Sequence, residues 1–203
     1  MANFDETTLV QAAQRGNLDA FNELILAYQD RVYNLAYRIM GDPAAAGDAT
    51  QEALIAAYRN LSTFRGGSFV AWLLRIVANR CYDELRRQKR RPAISLEDMG
   101  KVDEDANPTL IDGGESLQER VERQELAEYL QKAINALPPD QRAVVVLSDV
   151  GGQAYREIAA ALGIPIGTVK SRLARARARL RDLLQEQREL LPAAYRLGNE
   201  AER

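Results

Sequence analysis

The segment GTVKSRLARARARL, residues 167–180, alternates basic and small residues, and two backbone conformations would explain that alternation. As a strand, it would place the arginines on one face and nothing apolar except alanine on the other. As a helix, it aligns one apolar line at spacings of four, three, four and three: Val169, Leu173, Ala176, Leu180 and Leu183. Only the helix aligns the leucines, so we predict a helix with a buried seam and basic flanks.

The residues before this helix predict how it is used. Tyr155 to Leu162 has the pattern of a short amphipathic helix, Gly163 permits a turn with positive φ, and Val169 faces back into the same core. This order is typical of a helix-turn-helix, whose second helix enters the major groove of DNA. Its first turns carry hydroxyls suited to phosphate and arginine forks suited to guanine or phosphate: Thr168, Ser171, Arg172 and Arg175. The alternative is a solvated amphipathic helix, but no acidic residue occurs between 158 and 181, and this favours a DNA contact.

Helical periodicity covers most of the remaining chain, and no strand-like alternation competes with it. The predicted helices are 5–15, 18–40, 43–61, 68–91, 116–136, 140–149, 154–162 and 165–190. Between the fourth and fifth, proline, glycine and acidic residues with weak periodicity predict a flexible acidic linker. We therefore expect an all-α fold of two helical domains, 1–91 and 116–190, joined by a linker, 92–115, and followed by a tail, 191–203.

Charge is segregated along the chain although its net value is only −2. Residues 65–91 carry a net +6, residues 97–128 carry −8, and residues 167–181 carry +6. Two basic segments on either side of an acidic one indicate contacts with a polyanion at two separate places.

The first basic segment interleaves arginines with aromatic residues, a combination that suits single-stranded nucleic acid. Phe69 and Trp72 lie on the apolar stripe of the predicted helix and are expected in the core, whereas Arg75, Asn79, Asp83, Arg86 and Arg87 share its polar side. The loop before that helix, around Gly66 and Gly67, is either a pocket for an unstacked base or a plain helix connection.

The composition excludes several other classes of function. The chain has no histidine and one cysteine, Cys81, which removes histidine-dependent catalytic triads, an internal disulfide and a zinc cluster. No phosphate-binding or dinucleotide-binding glycine motif occurs, so no cofactor is predicted. The N-terminus is polar and no apolar run approaches the ~20 residues of a membrane span, so we expect no membrane insertion and a cytoplasmic location.

The chain resembles the bacterial extracytoplasmic-function (ECF) sigma factors of the sigma-70 superfamily. The matching stretches of the first half are DATQE (48–52), FVAWLLRIVAN (69–79) and DELRR (83–87). Those of the second half are LPPDQR (137–142), YREIA (155–159) and GIPIGTVKSRL (163–173). One departure is visible, because the family often has acidic residues just before Asp48 and this chain has Ala45 and Gly47 there.

The resemblance implies that residues 1–91 are sigma region 2, which binds core RNA polymerase and melts and captures the −10 element. It implies that residues 116–190 are region 4, which reads the −35 element as duplex. The implied partners are the clamp helices of the largest polymerase subunit, the flap of the second-largest subunit, promoter DNA and an anti-sigma factor. As a specificity subunit of the polymerase, the chain is expected not to be an enzyme.

The resemblance also assigns residues to three surfaces. The −35 surface consists of Thr168, Lys170, Ser171, Arg172 and Arg175. The −10 surface consists of Phe64, Arg65, Ser68, Arg75, Asn79, Asp83, Arg86 and Arg87. The core polymerase surface consists of Asp48, Gln51, Glu52, Ile55 and Arg59.

Two other classes of protein compete with this interpretation. An autonomous LuxR-like helix-turn-helix regulator would share the T-V-K segment but ordinarily carries a ligand or receiver domain, and residues 1–91 show no strand-like run. A nucleic-acid enzyme would need a fixed acid or metal cluster, whereas the acidic residues at 103–105 lie in the predicted linker.

Overall fold

The computed structural model describes residues 5–90 and 117–186, with side chains for 5–88 and 120–186, and within each of these two ranges the helices are joined by short turns. The described residues form eight α-helices, in order α1 (Glu6–Gln14), α2 (Leu18–Met40), α3 (Pro43–Asn60), α4 (Phe69–Arg90), α5 (Leu117–Asn135), α6 (Pro139–Val145), α7 (Tyr155–Leu162) and α8 (Ile166–Glu186). A 3₁₀ turn, Leu61–Thr63, follows α3. The all-α prediction is confirmed, and the described residues contain no strand. The predicted linker and tail lie outside the described ranges.

Local capping signals explain why the helices begin where the sequence predicts. The side chain of Asn17 accepts a hydrogen bond from the Ala20 amide at 3.0 Å, and Asp42 accepts one from Ala45 at 2.7 Å. Ser68, predicted to cap α4, accepts from Ala71 at 3.3 Å. Each cap depends on residues three positions apart, so short-range sequence is sufficient to set these boundaries.

The predicted helix 140–149 is interrupted, and this is where the sequence prediction fails. Regular α-helix ends at Val145 and continues as a π-helical turn, Val146–Val150. The amide of Gly151 donates to the carbonyl of Val146 at 2.8 Å, a five-residue step that closes the wide turn. A Cβ at Gly151 would lie 2.8 Å from the Leu147 carbonyl oxygen, so the turn closes only with glycine there.

The two halves of the chain pack against one another. Helices α1 to α4 bury one set of apolar side chains, and α6 to α8 bury another, with α5 packed on α8 and α2. Helix α4 contacts α6 and α7, so the buried residues of both halves form one continuous core. The division of the chain into domains 1–91 and 116–190 therefore stays a prediction. In this structure the two halves are in contact through α4, α6 and α7.

The guanidinium of Arg142 in α6 lies where the halves join, at the C-terminal end of α2. Its Nη1 donates to the carbonyls of Ile39 at 3.1 Å and Met40 at 3.3 Å, and its Nη2 donates to the carbonyl of Asn135. The last carbonyls of a helix lack internal partners and carry partial negative charge. An arginine therefore supplies both the missing hydrogen-bond donors and a compensating positive charge. Burial lowers the pKa of Arg142, which faces carbonyls here rather than a carboxylate.

Amides from α5 extend this contact. The side chain of Asn135 donates to the Gly41 carbonyl at 3.4 Å, and Gln131 lies 2.9 Å from the Asn135 amide oxygen. Gly41 has a φ of 76° and ends α2, and a Cβ there would overlap the Asn135 amide. Glycine is thus required at position 41 both by its backbone conformation and by the close approach of α5.

We expect Arg142→Met to lower the free energy of unfolding by about 2 kcal/mol, because it removes the donor from the partly buried carbonyls of Ile39, Met40 and Asn135. Arg142→Lys should recover part of the loss, since lysine keeps the charge but lacks the planar fork. Urea unfolding followed by circular dichroism measures both. The matched control is Arg156→Met on α7, whose side chain is exposed. Equal effects of the two methionine variants would contradict the assigned role of Arg142.

Candidate nucleic-acid interface

Helices α7 and α8 form the predicted helix-turn-helix. Gly163 closes α7 in the left-handed conformation at a φ of 62°, as expected for the turn. The predicted seam of α8 is buried at Val169, Leu173 and Ala176, and Leu180 packs partly against the same core. The opposite wall includes Ile158, which is fully buried. The prediction that residues 167–180 form a helix is confirmed.

The first turns of α8 present polar side chains beside this seam. Lys170, Ser171 and Arg175 are exposed, and Thr168 is half-buried. The hydroxyl of Ser171 donates to the Thr168 carbonyl at 3.1 Å. Thr168, Ser171 and Arg175 therefore share one flank of the buried seam, and Lys170 lies on the other flank.

Arg172, the fifth predicted −35 residue, bridges the two halves. Its Nε lies 3.3 Å from a carboxylate oxygen of Asp140, and its Nη1 donates to the hydroxyl of Tyr82 on α4 at 3.2 Å. The Arg172 side chain is only 22% exposed. A residue expected to touch DNA is thus held by protein groups in this arrangement.

Arg177 forms an ion pair that sequence reasoning missed. Its guanidinium binds the carboxylate of Asp149 in the π-helical turn through two contacts, at 3.0 and 2.6 Å. This pairing raises the pKa of Arg177 and lowers that of Asp149. The basic run of α8 therefore mixes a cation that ties α8 to the preceding turn with cations that face solvent.

The predicted −10 residues on α4 share one side of that helix. Arg75, Asp83, Arg86 and Arg87 are exposed, whereas Asn79 is half-buried. Arg87 pairs with Glu84 at 2.7 Å, and this carboxylate raises the pKa of Arg87. The Arg86 guanidinium lies 5.7 Å from the centre of the Tyr82 ring, a cation–π distance. The face carries three arginines, which suits a phosphate backbone.

The loop before α4 has a packed base and an open tip. The ring of Phe64 packs edge-on against Phe69, with centroids 5.8 Å apart, and lies 5.6 Å from Trp72. Gly66 and Gly67 have φ values of 101° and 88°, and a Cβ at either would meet nothing within 4 Å. Arg65 and Ser68 are exposed. Phe69 and Trp72 are core residues, as predicted, and Phe64 joins them at the edge of the core.

Helix α3 carries the predicted polymerase-binding residues on its outer side. All five are exposed: Asp48, Gln51, Glu52, Ile55 and Arg59. Ile55 is 53% exposed and is the aliphatic member of this set. Ala45 and Gly47, which replace the acids expected there, leave the helix start intact because Asp42 caps it.

Groups that would support other chemistry are lacking in the part of the chain that the structure describes. Cys81 is buried, and burial raises the pKa of its thiol to about 12, so it is a poor nucleophile. Residues 5–90 and 117–186 contain no acidic, histidine or cysteine cluster able to hold a metal. No helix within those ranges is long and apolar enough to cross a membrane.

Comparison with known proteins identifies the family. Residues 24–91 match the model of sigma-70 region 2, and residues 127–180 match that of sigma-70 region 4. These two regions define RNA polymerase sigma factors, the promoter-specificity subunits of transcription initiation, and this chain belongs to the sigma-70 family. The LuxR-like alternative has no support, because residues 24–91 are region 2 rather than a ligand or receiver domain.

Within that family the chain is an ECF sigma factor. It is 41% identical over 169 residues to the ECF RNA polymerase sigma factor SigE of Mycolicibacterium smegmatis, matching 82% of this chain and 62% of that relative. It is 37% identical over 184 residues to the ECF RNA polymerase sigma-E factor of Escherichia coli (strain K12), matching 85% of this chain and 90% of that one. These relatives are specificity subunits rather than enzymes.

Two solved structures resemble the fold over most of its length. One is the sigma factor RpoE in complex with the anti-sigma factor NepR from Bartonella quintana, with 29% identity and a TM-score of 0.59 over 84% of this chain and 99% of that one. The other is CnrH in complex with the cytosolic domain of CnrY, with 26% identity and a TM-score of 0.60 over 90% and 99%.

We expect Asp149→Asn to remove an acid-sensitive part of the stability. The pKa of Asp149 is lower in the folded chain than its unfolded value of about 3.9, so its contribution is present above about pH 4 and is lost as pH falls through the folded value. The pair is partly exposed, so the effect at pH 7 should be below about 1 kcal/mol. Urea unfolding at pH 7 and pH 3 measures it.

The control for this variant is Asp182→Asn. Asp182 is exposed, and its carboxylate lies 3.9 Å from the Arg181 guanidinium, which is too long for a strong ion pair. The difference between wild type and the Asp149 variant should shrink at pH 3, and the Asp182 variant should follow wild type at both values. A constant difference at both pH values would contradict the ion-pair account.

Proposed function

We propose that this chain directs promoter-specific initiation by presenting two DNA-reading surfaces to core RNA polymerase, one on each half. The N-terminal turns of α8 read the −35 element as duplex, and α4 with the 64–68 loop captures the melted −10 strand. The observation that carries this proposal is the exposed, basic first half of α8, seated on a buried seam within the matched region 4. The chain acts in the cytoplasm, where it serves as a specificity subunit without catalysis of its own.

At the −35 element, α8 supplies both positioning and base-reading groups. Thr168 and Ser171 lie in its first turns, where helix amides and hydroxyls suit phosphate. Lys170 supplies a point charge for the backbone, and Arg175 offers a fork that pairs with guanine in the major groove. Arg172 completes the surface once it leaves Asp140 and Tyr82.

The bridging position of Arg172 suggests what the polymerase does to this chain, which is to separate the two halves and fix the distance between them. Because Arg172 contacts a tyrosine of α4, reading DNA with it requires this contact to break, and separation of the halves on the polymerase breaks it. Two weak sites bind jointly only when their separation is fixed, which a scaffold achieves and a flexible linker does not. The domains 1–91 and 116–190 are the units that separate, and the acidic segment 92–115 connects them along the polymerase.

The −10 surface suits a strand that is already melted. Arg75, Arg86 and Arg87 line the exposed side of α4 and neutralise phosphates, while Asn79 and Asp83 offer hydrogen bonds to base edges. The open tip at Gly66 and Gly67 provides space for an unstacked base. Phe64 contributes from the floor of this loop, where it packs on Trp72.

Protein partners bind other surfaces. The exposed side of α3, centred on Ile55, binds the clamp helices of the largest polymerase subunit, and region 4 binds the flap of the second-largest subunit. An anti-sigma factor binds this chain as well, a proposal supported by the relative crystallised with NepR.

Run-off transcription with reconstituted holoenzyme tests the proposal. Transcript 5′ ends mapped after overexpression identify a promoter, and the purified chain should direct core polymerase to initiate there and not on a scrambled template. Specific duplex binding at nanomolar concentration without polymerase, combined with no effect on initiation, would contradict it.

We expect Arg175→Ala to reduce initiation at a promoter that depends on its −35 element by roughly 5- to 100-fold, the cost of one lost guanine contact. The measurement is multi-round transcription on the mapped promoter and on a copy with a scrambled −35 element. Arg181→Ala is the matched control, because Arg181 is exposed on the opposite flank of the same helix. An equal loss on both promoters would show that Arg175 does not read the −35 element.

We expect Ile55→Asp to weaken binding to core polymerase at least tenfold, since it places a charge in an apolar contact. Fluorescence anisotropy of the labelled chain titrated with core enzyme measures the affinity. Val121→Asp is the control, because Val121 in α5 is 54% exposed and lies outside the proposed surface. Unchanged affinity of the Ile55 variant would rule out this part of α3 as the polymerase contact.

A further inference from the structure

The tip of the 64–68 loop has no packing of its own. Gly66 and Gly67 both have positive φ, and a Cβ at either would meet no neighbour within 4 Å. Such a segment keeps a defined position only through its two ends. The C-terminal end is fixed, because Ser68 caps α4 through the amide of Ala71.

The N-terminal end of the loop is held by a residue from α1. The side-chain amide of Gln14 donates to the carbonyl of Leu61 at 3.1 Å and to that of Phe64 at 3.0 Å. These carbonyls enclose the 3₁₀ turn, and the second belongs to Phe64, two residues before Gly66 at the open tip. One NH₂ group with two hydrogens thus fixes both ends of the turn that leads into the loop.

Helix α1 is itself anchored, so this contact has a fixed origin. Val10 and Ala13 are buried against the core. Glu6 accepts a hydrogen bond from the hydroxyl of Tyr28, whose ring lies 6.1 Å from Phe69 in the aromatic cluster below the loop. Helix α1 lies before residue 24, where the match to sigma-70 region 2 begins.

We propose that Gln14 is a positioning residue for capture of the melted −10 base, and that α1 is thereby part of the −10 apparatus. This inference rests on the proposed function of the 64–68 loop. Gln14 does not touch DNA; it sets where the Phe64 carbonyl lies and hence where Arg65 to Ser68 begin. Without it, the tip samples several positions, and ordering it costs binding free energy.

The test uses holoenzyme and a non-template −10 oligonucleotide from the mapped promoter, with 2-aminopurine substituted at single positions. In wild type, the fluorescence of the captured position rises as its base leaves the stack. Gln14→Ala should weaken oligonucleotide binding about three- to tenfold, the cost of ordering the freed tip on binding, and reduce that fluorescence. Binding to core polymerase and to −35 duplex should be unchanged.

Three further variants separate positioning from general stability. Gln14→Glu cannot donate and should be at least as defective as alanine, whereas Gln14→Lys keeps a donor and should restore much of the signal. Gln11→Ala, an exposed glutamine one turn earlier on α1, should behave as wild type.

Each result decides between the two levels of the proposal. Failure of wild-type holoenzyme to initiate at the mapped promoter would overturn the proposed function, and this inference with it. If wild type initiates while Gln14→Ala keeps full binding and fluorescence, only the role of Gln14 is overturned. An equal loss of core, duplex and oligonucleotide binding would also overturn that role, since it would mark general unfolding.

Discussion

The hydrogen bonds between Arg142 and the C-terminal carbonyls of α2 are the contact on which the arrangement of the two halves depends. A helix end presents acceptors without partners, and a guanidinium is the side chain that satisfies several of them at once. Arg142 fixes α6 against α2 at this point. Because α6 continues through the π-helical turn towards α7 and α8, its position also decides what α8 meets, and this places Arg172 beside Tyr82.

The basic residues of α8 therefore have different environments although the sequence presents them as one run. Arg177 serves the fold through Asp149, and Arg172 joins the halves through Asp140 and Tyr82. Lys170 and Arg175 face solvent. The proposed function makes use of this division. Arg177 holds α8 against the preceding turn, and other basic residues stay available for the proposed contacts with promoter DNA.

In the N-terminal half, the 64–68 loop likewise combines a rigidly packed base with an open tip. Aromatic packing of Phe64, Phe69 and Trp72 and the Gln14 amide fix the base of the loop, while two glycines leave its end open. The proposed capture of an unstacked base needs both properties, since stiffness preserves affinity and open space admits the base. The contact from α1 means that this half depends on residues before the matched region.

The sequence by itself determined the regular helices, their caps and the buried seam of α8, but not the π-helical turn after α6. Each of the features that it determined depends on residues within about one or two turns of one another. Its motifs also indicated the sigma factor family and the three sets of candidate residues. Only the tertiary structure decided which polar side chains are engaged, since Gln14 lies 50 residues from Phe64, Arg172 lies 90 from Tyr82, and Arg142 lies 102 from Met40. Pairings at such separations follow from how the helices pack, and no local pattern encodes them.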